Sequence, residues 1–292
     1  MKILKDKLSE SVVTLGKFDC LHLGHKKLIQ TAKENALKLG VPLVAYTFSN
    51  AQKSSVFSFE DRLWMFEEMG CDYVYVEEFN DEFRNLSPKD FFKSKLIDKL
   101  GAVHIVAGTD WRFGKDRAGD VNVLYDLCKK YNKGISVVDK LTLYDKEVSS
   151  TLIKKLFEDG DVKKANEYLG RCYYIKGCVC EGKKLGRCLG FPTANILLDD
   201  GLVYPKDGVY ATKTTFDGKT YLSVTNIGTN PTVKDTTKRM ETHILDFCTD
   251  LYGRCIKVEF LERIRGEVKF SDINALEIQV KKDIECVRCN YK

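Results

Sequence analysis

The sequence predicts two domains of different class. The first is an α/β unit on a parallel sheet. The second is an antiparallel β unit, a barrel or sandwich, that ends in one helix. Three observations predict this. The 292 residues exceed one typical core and suit two. The first half alternates strand-like and helix-like periods, which calls for parallel strands joined by crossover helices. The second half turns to strand-like runs broken by turn signals, with the boundary near residue 170.

In chain order, Val12-Val13-Thr14-Leu15 is a short apolar run. A helical stretch runs from about Lys26 to Leu39 and closes at Gly40, and Val41 to Phe48 reads as the next strand. Ser58 caps a helix through about Met69, and Tyr73 to Val76 is β-branched and aromatic. Ser87 as N-cap, Pro88 in the first turn and Gly101 past the end sign the following helix. Val103 to Ala107 is apolar except for His104, which reads as a satisfied core residue. Another helix runs to about Tyr131, and Ile135 to Val138 is strand-like. In the second half Asp207-Gly208, Asp217-Gly218 and Asn230-Pro231 mark turns, and helical periodicity returns from about Ser271 to Asp283.

Composition narrows the function. There are 47 Lys and Arg against 42 Asp and Glu, a net charge of +5 with no dense basic stripe, which argues against a nucleic-acid binder. No run approaches the roughly 18 apolar residues of a membrane span, and the first residues lack the apolar core of a signal peptide. A cytoplasmic protein without membrane or nucleic-acid partners is expected. Eleven cysteines, an odd number in a long chain, argue against a disulfide scaffold. Cys178-x-Cys180 and Cys286-x-x-Cys289 would make a zinc site only if they met in space, so reduced, scattered thiols are expected.

Two stretches carry chemistry. The first, GKFDCLHLGH at 16–25, joins the first strand to the first helix. Gly16 suits a sharp exit from the strand, Asp19 can order the turn through its own backbone, and Gly24 permits close approach. Amides at a helix start favour an anion, and ligands of such sheets bind beyond the carboxyl ends of the strands. His22 and His25 flank that spot, where imidazoles can donate to phosphate oxygens on which charge develops.

The second stretch is GKKLGRCLGFPTAN at 182–195. Its glycines and basic residues suit a phosphate. Pro192 keeps Phe191 extended, and in an extended chain Thr193 and Asn195 point the same way. Their oxygens could share a hard cation such as Mg2+ with a nucleotide phosphate.

Both stretches resemble known signatures. G-x-F-D-x-x-H-x-G-H is similar to that of the HxGH nucleotidylyltransferases. Gly108-Thr109-Asp110-Trp111-Arg112-Phe113-Gly114 with Gly119-Asp120, and Ser149-Ser150-Thr151-Leu152-Ile153-Lys154, resemble stretches of bacterial FAD synthetases. GRCLGFPTANI resembles the signature of riboflavin kinases. Glu241-Thr242-His243-Ile244-Leu245-Asp246-Phe247, and Arg265, Glu267, Lys269 and Phe270, follow in matching order. The resemblance covers nearly the whole chain and is to the bifunctional bacterial riboflavin kinase/FAD synthetase family. Three departures stand out: Cys20 follows Asp19 where glycine is usual, Thr47-Phe48-Ser49-Asn50-Ala51-Gln52 lacks two prolines, and Lys154 replaces an arginine, losing its bidentate fork.

The resemblance implies a Rossmann-like FMN adenylyltransferase domain over 1–169 and a β-barrel riboflavin kinase domain over 170–292. It implies two ATP- and Mg2+-dependent steps: riboflavin and ATP give FMN and ADP, then FMN and ATP give FAD and pyrophosphate. Glu241 is the implied base of the first step, and Thr193 and Asn195 hold the metal. His22 and His25 stabilise the α-phosphate in the second step. Nucleotide contacts fall to Gly16, Phe18, Asp19, Gly24, Gly108, Asp110, Arg112, Ser150, Thr151 and Lys154 in the first domain. In the second they fall to Gly182, Lys183, Gly186, Arg187, Gly190 and Pro192. Flavin contacts fall to Phe113, Arg265, Glu267 and Phe270; Arg265 reads equally as a solvated charge. His243 reads as packing or hydrogen bonding. Weak self-association is allowed for. Two rivals stay open: a kinase beside a weakened adenylyltransferase, motivated by the departures, and a flavin-binding regulator without turnover.

Overall fold

A computed structural model describes residues 1–49, 55–182, 186, 190–229 and 238–291. The chain parts into two compact units, Met1–Ser150 and Thr151–Lys292.

The first unit is α/β. Its main elements are β1 (Lys2–Ile3), β2 (Ser11–Leu15), α1 (Leu23–Leu39), β3 (Leu43–Phe48), α2 (Phe59–Glu68), β4 (Tyr73–Glu77), α3 (Asp81–Arg84), α4 (Pro88–Phe91), β5 (Ala102–Gly108), α5 (Val121–Lys130) and β6 (Gly134–Val138). A hairpin, β7 (Thr142–Leu143) and β8 (Lys146–Glu147), follows. The sheet order is β1-β4-β3-β2-β5-β6, with every neighbouring pair parallel. From β2 the chain builds outward through β3 and β4, then returns to β2's other side with β5 and β6. The carboxyl end of β2 is therefore the point where the winding reverses, the place where such sheets bind ligands. Every residue of β2 and β3 is buried, as strands covered by helices on both faces require.

Local chemistry sets the helix ends. Ser58 accepts from Asp61 N at 3.0 Å and Ser87 from Asp90 N at 3.1 Å, as the cap signals predicted. The helix opened by Pro88 does not stay α-helical. Over Phe92–Lys99 it widens into π turns before Leu100, and Gly101 takes φ 59°. Asp120 caps α5 by accepting from Asn122 N and Val123 N, and the Val123 bond chiefly holds its carboxyl below the usual carboxylate range. His104 reaches Ser136 Oγ at 2.8 Å from its Nε2, and burial lowers its pKa.

The boundary falls after the first residue of α6 (Ser150–Asp159), and α7 (Val162–Leu169) follows in the second unit. Then come β9 (Tyr173–Cys178), β10 (Thr193–Leu197), β11 (Gly208–Phe216), β12 (Lys219–Thr229), β13 (Lys238–Ile244), β14 (Cys255–Arg265) and α8 (Ile273–Asn290). The strands form one antiparallel sheet in the order β10-β13-β12-β11-β14-β9. The sheet curls until Cys180 N, just past β9, donates to Asn195 O on β10 at 2.8 Å. Thr212, Thr214, Ser223, Thr225 and Thr242 are fully buried and bond to one another across β11, β12 and β13. On the other face Val287 of α8 packs with Val209, Ala211, Val224 and Leu245. Ile284 and Val287 carry α8 well past the expected stop at Asp283.

The change of character near residue 170 marks where this sheet starts. The compact units part earlier because α7 is tied to the sheet. Asn166 donates to Phe260 O at 2.8 Å and accepts from Tyr173 N at 2.7 Å.

The expectation of reduced thiols throughout is corrected at one pair. Cys178 and Cys255 face each other in the β9–β14 register, with Cα atoms 4.1 Å apart, and form a disulfide. Cys71 and Cys128 are buried free thiols with pKa values pushed up to about 12 by burial, and are inert. Cys286 and Cys289 are exposed on α8, and no group of three or more His, Cys, Asp or Glu among the described residues could hold a metal ion.

Candidate active sites

The loop from Gly16 to His22 leaves β2 at the reversal point. Phe18 and Leu21 take φ 52° and 45°, left-handed backbone that bulky residues adopt only when their surroundings impose it. The Phe18 ring is buried against Phe66 and His25, with centroids 5.3 and 5.1 Å away. It also covers Gly16, where a Cβ would lie 2.8 Å from the ring. Gly16 thus makes room for a ring and is not the point of unusual backbone. The Asp19 Oδ1 accepts from Val56 N at 3.1 Å, a partner 37 residues away. The Lys17 carbonyl accepts from Thr47 Oγ1 at 2.9 Å and Arg62 Nη1 at 3.4 Å. Arg62, only 6% exposed, is a residue that sequence reasoning missed. Burial pulls its pKa down, and Asp19 opposes that. A buried arginine in an amphipathic helix carries no mark in the sequence.

His22 is the N-cap of α1. Its Nδ1 accepts from His25 N at 3.3 Å, and the two rings stack with centroids 3.7 Å apart and planes 13° apart. An Nδ1 that accepts leaves the neutral ring's proton on Nε2, so His22 is set up as a donor. Both rings adjoin the amides that open α1, where an anion is favoured.

Four other expected residues of the first unit lie at or just past the carboxyl end of β5. Gly108 ends β5, and Trp111 N donates back to its carbonyl at 3.0 Å. Asp110 pairs with Lys140 at 3.8 Å, and Arg112 Nη1 bonds Trp111 O. Phe113 is 5% exposed and packs against Phe91, so it belongs to the core of this unit. Ser150, Thr151 and Lys154 lie on the first turns of α6. The sequence reading also passed over a cluster at the ends of β3 and β4. There Glu77, 7% exposed, accepts from Tyr46 Oη and Lys95 Nζ, each at 2.9 Å, beneath Phe48 and Phe83.

The second constellation lies across β10, β13 and β12. Asn195 stands opposite Glu241, Glu241 opposite Asn226, and Thr193 opposite His243. Directly opposed residues share a face of the sheet, so Asn195, Glu241 and Asn226 make one polar row. Asn195 Nδ2 lies 3.4 Å from Thr193 Oγ1, so the two side chains expected at the cation adjoin, with the amide nitrogen turned to the hydroxyl. Gly182 leaves space over Asn195, since a Cβ there would lie 2.5 Å from Asn195 Nδ2. Asn226 Nδ2 reaches Glu267 Oε1 at 3.5 Å, which brings Glu267 to the same row. A cavity opens beside it, lined by Gly182, Pro192, Thr193, Asn195, Asp250 and Tyr252 among others. Phe191 N donates to Gly186 O at 2.8 Å, and Gly190 takes φ 80°. Lys183 and Arg187 lie outside the described residues, as do Asn50, Ala51 and Gln52.

Arg265 is held elsewhere. Its Nε and Nη2 grip the Asp283 carboxylate at 3.1 and 2.8 Å, Gln279 donates to the same group at 2.9 Å, and Phe270 lies 5.8 Å from the guanidinium. The structure thus joins two of the expected flavin contacts, Arg265 and Phe270, to each other and to α8.

Known proteins match both units. The FAD synthetase family model matches residues 4–152, and the riboflavin kinase model matches residues 169–290. The bifunctional riboflavin kinase/FMN adenylyltransferase of Bacillus subtilis (strain 168) is 38% identical over 294 residues, covering 96% of this chain and 92% of that protein. The Escherichia coli (strain K12) protein of the same name is 33% identical over 282 residues, covering 93% and 90%. The chain belongs to the bifunctional riboflavin kinase/FMN adenylyltransferase family. It makes FMN from riboflavin and FAD from FMN, with ATP as co-substrate. A solved structure from Streptococcus pneumoniae, described as a macrolide-efflux protein, superposes with a TM-score of 0.89 at 32% identity, covering 97% of this chain and 95% of that one. That description is of the pneumococcal protein. No described helix here is long and apolar enough to cross a membrane.

Proposed function

We propose that the two reactions are divided between the units: phosphoryl transfer at the polar row of β10 and β13, adenylyl transfer at the histidine loop. The observation that carries this is the register. It sets a carboxylate, Glu241, directly opposite Asn195 and beside Thr193 on one face.

In the kinase step Glu241 takes the proton of the riboflavin 5′-hydroxyl as that oxygen bonds the γ-phosphorus and ADP leaves. Thr193 Oγ1 and, with the amide turned over, Asn195 Oδ1 supply neutral oxygens at one spot under Gly182, a donor set that fits Mg2+. When bound there with ATP, the ion supplies positive charge to the phosphates. Gly182, Gly186, Gly190 and Pro192 contact those phosphates, the glycines by close backbone approach.

In the adenylyl step an FMN phosphate oxygen bonds the α-phosphorus and pyrophosphate leaves. FMN is already an anion, so no base is required. His22 and His25 donate to the α-phosphate oxygens, and the first amides of α1 add their partial charge. Both steps consume ATP, which suits a cytoplasmic enzyme.

The metal assignment is tested by following FMN formation against Mg2+ concentration for Thr193→Val and Asn195→Leu. Each variant should need at least about tenfold more Mg2+ or lose activity outright, since even the loss of an outer-shell partner typically costs 10–100-fold in metal affinity. An unchanged Mg2+ requirement would overturn the assignment.

A further inference from the structure

We propose that His243 is a positioning residue of the kinase site: it holds the Pro192 carbonyl, and through it Thr193, in register with the strand that carries Glu241. The inference rests on the assignment of Thr193, Asn195 and Glu241 made above.

Strand β10 lies at the end of the sheet order and is laddered to β13. The residue before it is Pro192, which has no N–H and cannot lengthen that ladder by donating. Its carbonyl can still accept. His243 Nδ1 lies 2.9 Å from Pro192 O. A carbonyl oxygen only accepts, so Nδ1 carries the hydrogen, and it does so in either protonation state of the ring. The Phe191 ring meets the imidazole edge-on, with centroids 5.7 Å apart at 88°, which fixes the imidazole's rotation. A side-chain bond to its carbonyl thus ties down a residue that has no N–H to give to the ladder.

The consequence falls on the next residue. Thr193 stands opposite His243, and its Oγ1 is a proposed cation donor. Two residues back along β13, Glu241 stands opposite Asn195. His243 therefore couples the base strand to the cation strand at the end where the ladder stops. Without it Thr193 remains joined to β13 but loses the restraint that aims it.

The test uses three full-length variants. His243→Leu keeps bulk and removes the donor. His243→Asn puts an amide N–H near the Nδ1 position, and His243→Gln places it one carbon too far. For FMN formation, the KM for Mg-ATP should rise about tenfold or more in the Leu and Gln variants, as expected when a reacting group is displaced by a fraction of an ångström. The Asn variant should recover most of the loss. The KM for riboflavin, and FAD formation from supplied FMN, should stay at the wild-type level. If the Leu variant does not fold, the Asn–Gln comparison carries the test. A wild-type KM in the Leu and Gln variants, or an Asn variant no better than Gln, would overturn the proposal. A Thr193→Val variant separates the two ideas. If it shifts the Mg2+ requirement while the His243 variants change nothing, only the positioning role fails. If it shifts nothing, the cation assignment has failed first.

Discussion

His22 and His25 stack face to face with ring centroids 3.7 Å apart, and the backbone N–H of His25 donates to Nδ1 of His22. His22 is a helix cap, and in the proposed adenylyl step it is also a phosphate donor; the two roles use different ring nitrogens. They can be separated. His22→Asn keeps a good cap, because asparagine is among the preferred N-cap residues. It loses the Nε2 donor. Its thermal unfolding should stay close to wild type while FAD formation falls about 10²–10³-fold, the usual cost of one such donor. Calorimetry beside a FAD assay checks both. A large drop in melting temperature would show that the ring matters to the fold more than to the phosphate.

Glu241 bears the opposite prediction. Glu241→Gln keeps the shape of the row and removes the proposed base. FMN formation should fall about 10²–10⁴-fold, the range for a lost general base. FAD formation from supplied FMN should be unaffected. Equal loss of both activities would contradict the division between units.

Arg265 and Asp283 form a bidentate pair in which Asp283 is 4% exposed and Arg265 19%. Removing one partner leaves an uncompensated buried charge, so Arg265→Ala should cost roughly 3–5 kcal/mol of second-unit stability. The double change Arg265→Met with Asp283→Leu should cost much less. Urea unfolding measures this. A stable Arg265→Ala with a raised riboflavin KM would return Arg265 to the flavin-contact reading.

These three cases show what the sequence disclosed. The alternation of periods set out the order of strands and helices in the first unit, because buried parallel strands are apolar runs and crossover helices carry cap signals at their ends. The two signature stretches were legible because their chemistry is local: His22 and His25 are three apart, Thr193 and Asn195 two apart. Partners set by tertiary approach left no trace. Asp19 meets Val56, Arg265 meets Asp283 and His243 meets Pro192 at separations of 37, 18 and 51 residues. The Cys178–Cys255 bridge, 77 residues apart, depends on the β9–β14 register and could not be read from spacing. The π turns at Phe92–Lys99 also lie in a stretch whose apolar pattern looks like an ordinary helix.

His104 gives a pH prediction. Burial lowers its folded pKa from 6.5, so the unfolded chain binds a proton there more readily than the folded one. Its contribution is full above pH 6.5, the unfolded value, and is lost as pH falls from there toward the folded pKa. Ser136 Oγ is the hydrogen-bonding group that meets Nε2. The urea midpoint of the first unit should drop on moving from pH 7.5 to about 5.5, and His104→Asn should show a smaller drop. Equal drops in both proteins would remove His104 from the account.

The most direct test of two separate sites in one chain is to mix two defective variants. His22→Ala/His25→Ala and Glu241→Gln are each given riboflavin, ATP and Mg2+, alone and together, and the flavins are separated by chromatography over time. The account predicts that the first variant stops at FMN, the second leaves riboflavin unconverted, and the mixture makes FAD, because FMN released by one is adenylylated by the other. A mixture that makes no FAD, or a histidine variant that makes no FMN, would contradict it.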